Sequence, residues 1–286
     1  MALRVAAIDF LNPAPLMWDF YHPPLATALA ERYDLHPTSP ARCAQALLTG
    51  HADLGLIPIA ALTSDLLIVP GCTIASLDRV RSIQLIVRPN LRLDQVRTVA
   101  ADTASRSSVA YAKVLFRHFL GTQPDFLDAP ANPEAMLAQC DAALLIGDPA
   151  LLALERRAEI EAHIFPKAGP CTWHDIAQQW HTRTGLPWVA AVWAVRPEAV
   201  PTAAARQQLI DDLNTSRDHG LAHLEDLVAE WTPRIALPPA TIRHYLSQNI
   251  HYHLDPRCER TIQTFRKLAF AVGALPPLAT LNFLEP

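Results

Sequence analysis

The sequence predicts an α/β protein of two hinged lobes with a helical carboxyl-terminal part, and three observations predict it. Short apolar runs of strand length alternate with segments of helical spacing through the first two-thirds of the chain, the pattern of βαβ units and a parallel sheet. The chain leaves the first unit near Arg88-Pro89 and returns near Arg196-Pro197. That makes one lobe discontinuous, residues 1–90 with 195–286, and the other continuous, residues 91–194. Beyond Pro197 the pattern is nearly all helix. Among 286 residues, 50% are hydrophobic, enough apolar material for a substantial core.

The elements follow in order. Residues 3–8 are apolar and short, a buried strand. Leu25, Leu29 and Tyr33 recur at i, i+4 and i+8 and predict a helix over 23–33. Ser39-Pro40 opens the next helix, with Ser at the N-cap, Pro at the first helical position and Gly50 as the stop. Cys43, Ala46 and Leu47 form its apolar stripe. Strands are expected at 53–57, closed by Pro58, and at 66–69, 72–75 and 80–87. A strand at 98–101 starts the second lobe, and a helix follows to about residue 120. Then come a helix at 133–139, a buried strand at 142–146 and a helix from Pro149, which Asp148 is placed to cap. A helix over 173–184, stopped by Gly185 and Pro187, precedes the returning strand at 188–195. Helices at 202–214, 219–231, 239–250 and 259–272 complete the chain.

Composition excludes several functions. Lys and Arg number 24 against 28 Asp and Glu, a formal charge of -4, which argues against a nucleic-acid-binding face. No apolar run reaches the roughly 18 residues of a membrane span. The first residues lack the apolar core of a signal peptide, so a cytoplasmic protein is expected. Cys43, Cys72, Cys140, Cys171 and Cys258 are widely spaced, without a C-x-x-C pair, and read as reduced, mostly buried thiols. The 9 glycines leave no G-x-G-x-x-G and no Walker A sequence. His251-x-His253, with only Asp255 and Cys258 nearby, is an incomplete zinc set, so metal-independent chemistry is expected. Asp175 and His181 have no G-x-S-x-G context, and a hydrolase triad is unsupported.

What remains is anion chemistry. Asp102-Thr103-Ala104-Ser105-Arg106-Ser107-Ser108-Val109 puts four hydroxyls and a guanidinium between a buried strand and a helix start. Free backbone N–H groups and the positive helix end add to them, which suits a carboxylate or phosphate. One hydroxyl suffices for a cap, and here there are four. Ser39-Pro40 is a second helix start of the same kind, and two such starts suit a ligand with two carboxylates. Asn12 follows the first strand, where it could cap, shape the turn before Pro13 or present its amide to a ligand. Ser82 sits in the run 80–87, and spacing alone selects neither residue.

Several motifs taken together carry a resemblance. Phe10-Leu11-Asn12-Pro13, Ser39-Pro40, Ile74-Ala75-Ser76 with Val80-Arg81-Ser82-Ile83, and Ser105-Arg106-Ser107-Ser108-Val109 come first. Asp141-Ala142-Ala143-Leu144-Leu145-Ile146-Gly147-Asp148 and Thr184-Gly185-Leu186-Pro187-Trp188 follow, with a tail from Tyr245-Leu246 through Asn249-Ile250-His251-Tyr252 to Phe265 and Gly273. In this order they resemble the chorismate dehydratases of the futalosine route to menaquinone, over nearly the whole chain. The resemblance implies a type-II periplasmic-binding-protein-like fold with a central ligand cleft. It implies loss of water from chorismate to give 3-[(1-carboxyvinyl)oxy]benzoate, with no metal and no organic cofactor. It places Asn12 and Ser82 at active-site positions and Ser39, Ser107 and Ser108 at substrate-carboxylate positions. Ser105, Arg106, Ile146 and Gly147 complete the expected substrate-binding set.

No His falls in these motifs, so either Asp148 is the general base or the substrate's enolpyruvyl carboxylate takes the proton. The amides and hydroxyls at the matched positions favour the substrate. Leu77-Asp78 and His174-Asp175-Ile176 depart from the family pattern, the first beside Ser82. Two rival readings share the fold. The 1,4-dihydroxy-6-naphthoate synthases place a His after the strand at 142–146, where this chain has Gly147-Asp148. A non-enzymatic module binding anionic solutes is expected to bring a signal peptide or lipid-attachment Cys, or as a sensor a helix-turn-helix segment, and the first residues read as neither.

Overall fold

The computed structural model describes residues 2–102, 106–277 and 280–286. Two mixed β-sheets with flanking helices face each other across a cleft. The first sheet has strand order β11-β4-β10-β3-β1-β2. Its members are β1 (Leu3–Ile8), β2 (Tyr33–Thr38), β3 (Leu54–Pro58), β4 (Leu67–Ser76), β10 (Trp188–Val195) and β11 (His251–Leu254). The second has order β7-β6-β8-β5-β9, built from β5 (Ile83–Val87), β6 (Thr98–Asp102), β7 (Asp125–Ala129), β8 (Ala142–Ile146) and β9 (Thr172–Asp175).

Each sheet has a parallel half and an antiparallel half, rather than the purely parallel pairing expected. β1 pairs parallel with β2 and β3, whereas β10 runs antiparallel to β3 and β4. In the second sheet β6 is parallel to β7 and β8, and β5 is antiparallel to β8 and β9. The antiparallel strands are those at which the chain changes sheet. Those crossings come earlier than Arg88-Pro89 and Arg196-Pro197, at residues 77–82 and 176–187. β5 therefore lies in the second sheet and β10 in the first. β5 is buried on both faces and pairs from Ile83↔Ile146 to Val87↔Ala142, so the prolines mark strand ends, not crossings.

The helices are α1 (Trp18–Tyr21), α2 (Ala26–Ala30), α3 (Pro40–Leu48), α4 (Ser107–Val114), α5 (Pro133–Gln139), α6 (Gly147–Glu155) and α7 (Arg157–Ile164). After them come α8 (Ile176–Thr184), α9 (Ala203–Ala222), α10 (Leu224–Trp231), α11 (Pro239–His244) and α12 (Pro256–Ala271). No described helix is long and apolar enough to cross a membrane.

Local differences from the sequence reading have identifiable causes. The helix at 23–33 shrinks to α2, because Tyr33 opens β2 and pairs with Leu3 while its phenol donates to Asp212 at 2.8 Å. The runs 66–69 and 72–75 are one strand, β4, bulged at Pro70-Gly71, where Gly71 has φ +97°. Residues 80–82 form a tight turn with Arg81 at φ +62°, and the strand starts only at Ile83. Trp173 lies in β9, and α8 starts at Ile176 because Asp175 caps it, accepting from the Ala177 and Gln178 N–H groups. α9 continues through residues 215–222, which absorbs the break expected at 214.

The main core runs through the first sheet and across to β5, β6 and β8, with Trp188, Trp193, Tyr111 and Phe265 among its largest members. A smaller core of Ile86, Leu145, Met136, Leu137 and Ile160 lies under α5, α6 and α7. All five cysteines are free and buried, and burial pushes the thiols of Cys43 and Cys72 up to about 12.

Candidate active site

The cleft lies where parallel strands end and helices begin. β1 delivers Ile8, Phe10 and Asn12, β3 ends there at Pro58, and β8 ends there at Ile146. The start of α4 contributes Arg106, Ser107 and Ser108, and the start of α3 contributes Pro40. Carboxyl ends of strands and amino ends of helices are the standard ligand crevice of open α/β sheets. The cleft holds about 530 Å³ of empty space including its open mouth.

Two polar groups from different sheets face this space. Asn12 is half-buried, and its buried Oδ1 has no hydrogen-bond partner among the described residues. Ser82 is 2% exposed, and its Oγ accepts a hydrogen bond from the Tyr245 phenol at 2.8 Å. The Ser82 carbonyl accepts the Gly147 N–H at 2.7 Å, tying the turn before β5 to the end of β8. Gly147 needs its φ of +61°, and a Cβ there would stand 2.8 Å from the Phe10 ring. Phe10 thus closes one side of the cleft against the backbone of the facing sheet.

The hydroxyl cluster divides into different roles. Ser107 Oγ accepts the Ala60 N–H at 3.1 Å and lies 3.5 Å from the Ala190 carbonyl, so it ties α4 to the first sheet. Ser108 is buried on the cleft wall, and its hydroxyl has no partner among the described residues. Arg106 is exposed at the mouth. Thr103 and Ser105 lie outside the described residues. Ser39 stands at the N-cap of α3 but makes no side-chain cap, and it is Pro40, not Ser39, that lines the cleft. Ile146 and Gly147 both line it.

Asp148 does not cap the helix as expected. Ile146 holds the N-cap position, α6 begins at Gly147, and Asp148 sits in the first turn just behind the cleft wall. Its carboxylate accepts the Leu11 N–H from the facing sheet at 3.3 Å. Burial lifts its pKa to about 6, the Leu11 N–H pulls it back, and Asp9 and Arg234 act with smaller opposite effects. The folded state therefore binds this proton more tightly than the unfolded chain does. The carboxyl's destabilising contribution is absent below the unfolded pKa, grows as pH rises from about 4 to 6 and is complete above that. It amounts to about 3 kcal/mol. Asp148→Asn should flatten the fall in melting temperature between pH 4 and 6 and leave turnover within about tenfold. A loss of about 10²-fold or more with the fold intact would make Asp148 the base.

Three residues that the motifs do not single out for the site belong to its framework. Asp175 accepts the Val80 N–H at 3.3 Å and the Arg81 N–H at 2.6 Å while it caps α8, so it fixes the turn that presents Ser82. Burial raises its pKa and four backbone N–H groups oppose the rise. Tyr245 reaches Ser82 from the far carboxyl-terminal part. Trp188, 1% exposed, lines the cleft with an Nε1 that has no partner among the described residues.

A recess of about 970 Å³, counting its open mouth, lies beyond Phe10, and its charged groups already pair with one another. Arg234 pairs with Glu230 at 2.9 Å and Asp9 at 3.6 Å, and His22 pairs with Glu230 at 3.2 Å. His251, Asp255 and Cys258 bring ligand atoms within 4.8 Å of one another, and they could hold a metal. None of them lines the cleft. Asp255 already caps α12 through the Arg257 and Cys258 N–H groups, and burial pushes the Cys258 thiol up to about 12.

A family model described as menaquinone biosynthesis matches residues 3–271. A chorismate dehydratase of Thermus thermophilus is 32% identical over 223 residues, covering 76% of this chain and 79% of that one. Among solved structures, a structural-genomics protein of Archaeoglobus fulgidus superposes with a TM-score of 0.72 at 12% identity, covering 96% of this chain and 98% of the other. The periplasmic aliphatic sulphonate binding protein of Escherichia coli gives 0.63 at 17% identity, covering 100% and 94%. A Candida albicans protein described as having the generic periplasmic binding protein fold gives 0.65 at 12% identity, covering 100% and 98%. The structural likenesses establish the two-lobe periplasmic-binding-protein-like fold.

Proposed function

The chain belongs to the menaquinone-biosynthesis family, and from that premise we propose that it is a chorismate dehydratase, a carbon–oxygen lyase acting without a metal or organic cofactor. The observation that carries this reading is the composition of the cleft. Asn12, whose amide oxygen has no partner among the described residues, and Ser82, a buried hydroxyl, line the same cleft as a helix start bearing Arg106 and Ser108. Such a wall offers neutral donors and acceptors around the reacting ring and positive potential for a carboxylate.

Chorismate fits these groups. Its ring carboxylate is received at the start of α4 by Arg106, Ser108 and the N–H groups of the first helical turn, with Ile146 and Gly147 also lining the cleft. The proton at ring C3 is vinylogous to the ring carboxylate, so its removal is eased by donors to that carboxylate. The C3–H electron pair becomes the new ring double bond as the C4–O bond breaks. The departing hydroxide leaves as water once protonated, and aromaticity supplies the drive. Asn12 and Ser82 orient the ring and stabilise developing charge, which is usually the largest catalytic term. The base is the substrate's own enolpyruvyl carboxylate. In support, Asp148 is turned to the Leu11 N–H behind the wall, and Asp175 is occupied by the turn at 80–82.

Gly147-Asp148 in place of a His weighs against the related naphthoate synthase. The solute-binding reading rests on fold likeness alone. A cytoplasmic location goes with the proposal, supported by five free, buried thiols. Incubation of the protein with chorismate, followed by ultraviolet spectroscopy, should show an aromatic product. Binding seen as a change in tryptophan fluorescence, with chorismate recovered intact, would replace the enzyme by a binding module.

A further inference from the structure

We propose that Tyr245 is a positioning residue for this elimination: its phenol holds the Ser82 hydroxyl so that the Ser82 proton points into the cleft, at the oxygen leaving the ring. The inference rests on the dehydratase reading and goes beyond it. Its basis is a count of donors in a closed space. Tyr245 is 1% exposed and Ser82 2%. Their oxygens are 2.8 Å apart, and neither side chain has another hydrogen-bond partner among the described residues. If Ser82 donated to Tyr245, the phenol proton would be buried with no acceptor, at a cost comparable to a lost hydrogen bond. Donation from Tyr245 to Ser82 removes that cost. A serine hydroxyl has one donor and two acceptor sites, so the Ser82 proton is left over. Ser82 forms part of the cleft wall, and the substrate supplies the acceptor.

The surroundings keep this arrangement. Burial raises the pKa of Tyr245, and the carboxylates of Asp148 and Asp175 push the same way, so the phenol stays protonated at neutral pH. Tyr245 and Asn249 belong to one π-helical turn, Tyr245–Asn249, and the Asn249 amide donates to the Arg79 carbonyl at 3.1 Å. One carboxyl-terminal turn thus grips the segment 79–82 at both ends. Asp175 holds its middle, and the Ser82 carbonyl is fixed by Gly147. A hydroxyl that accepts a hydrogen bond is polarised into a better donor. In the reaction the Ser82 proton is shared with the C4 oxygen as the C4–O bond breaks, and it returns to Ser82 when water leaves with the proton taken from C3.

The test is a double-mutant cycle in turnover of chorismate, using Tyr245→Phe, Ser82→Ala and the pair, assayed where circular dichroism shows all four proteins folded. Tyr245→Phe should lower kcat about tenfold with KM within about twofold, and Ser82→Ala should lower kcat further. In the Ser82→Ala background, Tyr245→Phe should cost no further rate, because the hydroxyl it positions is gone. Melting temperatures, read in both backgrounds, separate any loss of packing from loss of positioning. A Tyr245→Phe enzyme with kcat within twofold of wild type overturns the inference, as do losses that multiply in the pair. Wild-type protein that leaves chorismate unchanged overturns the dehydratase reading itself.

Discussion

Asn12→Ala should lower kcat by about 10²–10³-fold, the range found when one preorganised polar group is removed from a site of developing charge. The same variant should melt no lower than wild type. Asn12 Oδ1 is buried with no partner among the described residues, so the folded protein carries the cost of desolvating it. That cost is about 1–3 kcal/mol for a polar group left unsatisfied, and truncation relieves it. A residue kept for structure would behave oppositely, losing stability and sparing turnover. Activity that falls while stability holds or rises is the signature of a group that waits for substrate. Steady-state kinetics beside thermal melts read both. Unchanged kcat would remove Asn12 from the chemistry.

Arg106→Ala with Ser108→Ala should lower kcat/KM by roughly 30–1,000-fold. Hydrogen bonds to a charged group contribute about 1.5–3 kcal/mol each and do not add fully. Ser107→Ala should separate cleanly from this pair. Its hydroxyl accepts the Ala60 N–H, so its loss leaves a buried N–H unpaired and lowers stability by about 1–3 kcal/mol. The three serines and threonine beside Arg106 look equivalent in the sequence, and the two serines described in the structure are not. An Arg106→Ala/Ser108→Ala enzyme with wild-type kcat/KM would mean that the start of α4 binds no carboxylate.

The strands visible in the sequence are those buried on both faces. β3 and β8 are continuous apolar runs and β5 is interrupted only by Gln84, so pattern alone finds them. β2, β7 and β9, which pattern misses, are all sheet edges. Edge strands such as Tyr33–Thr38 and Asp125–Ala129 carry charged and polar residues because one side of the ladder faces solvent. Helical spacing over 23–33 competes with β2, and the pairing of β2 to β1 wins.

Within the cleft, the start of α4 is legible because hydroxyls before a helix have a local meaning. Asn12 and Ser82 are reached only through resemblance, since a lone amide or hydroxyl has no periodic signal. Ser82 also sits in a turn that the residue pattern reads as strand, and Arg81 at positive φ is invisible to propensity. Asp175, Tyr245 and Trp188 act through partners distant in sequence, Tyr245 lying 163 positions from Ser82. His174-Asp175-Ile176 departs from the family pattern, and its Asp is the anchor of the 80–82 turn.

Proton nuclear magnetic resonance of chorismate turnover by chelator-treated protein tests the central claim most directly. The account predicts that the signals of the ring C3 and C4 protons disappear as aromatic signals of 3-[(1-carboxyvinyl)oxy]benzoate grow in step. The rate should be unchanged by the chelator and lost in Asn12→Ala. Chorismate recovered unchanged, a different product, or activity that the chelator abolishes and zinc restores through His251, Asp255 and Cys258 would contradict it.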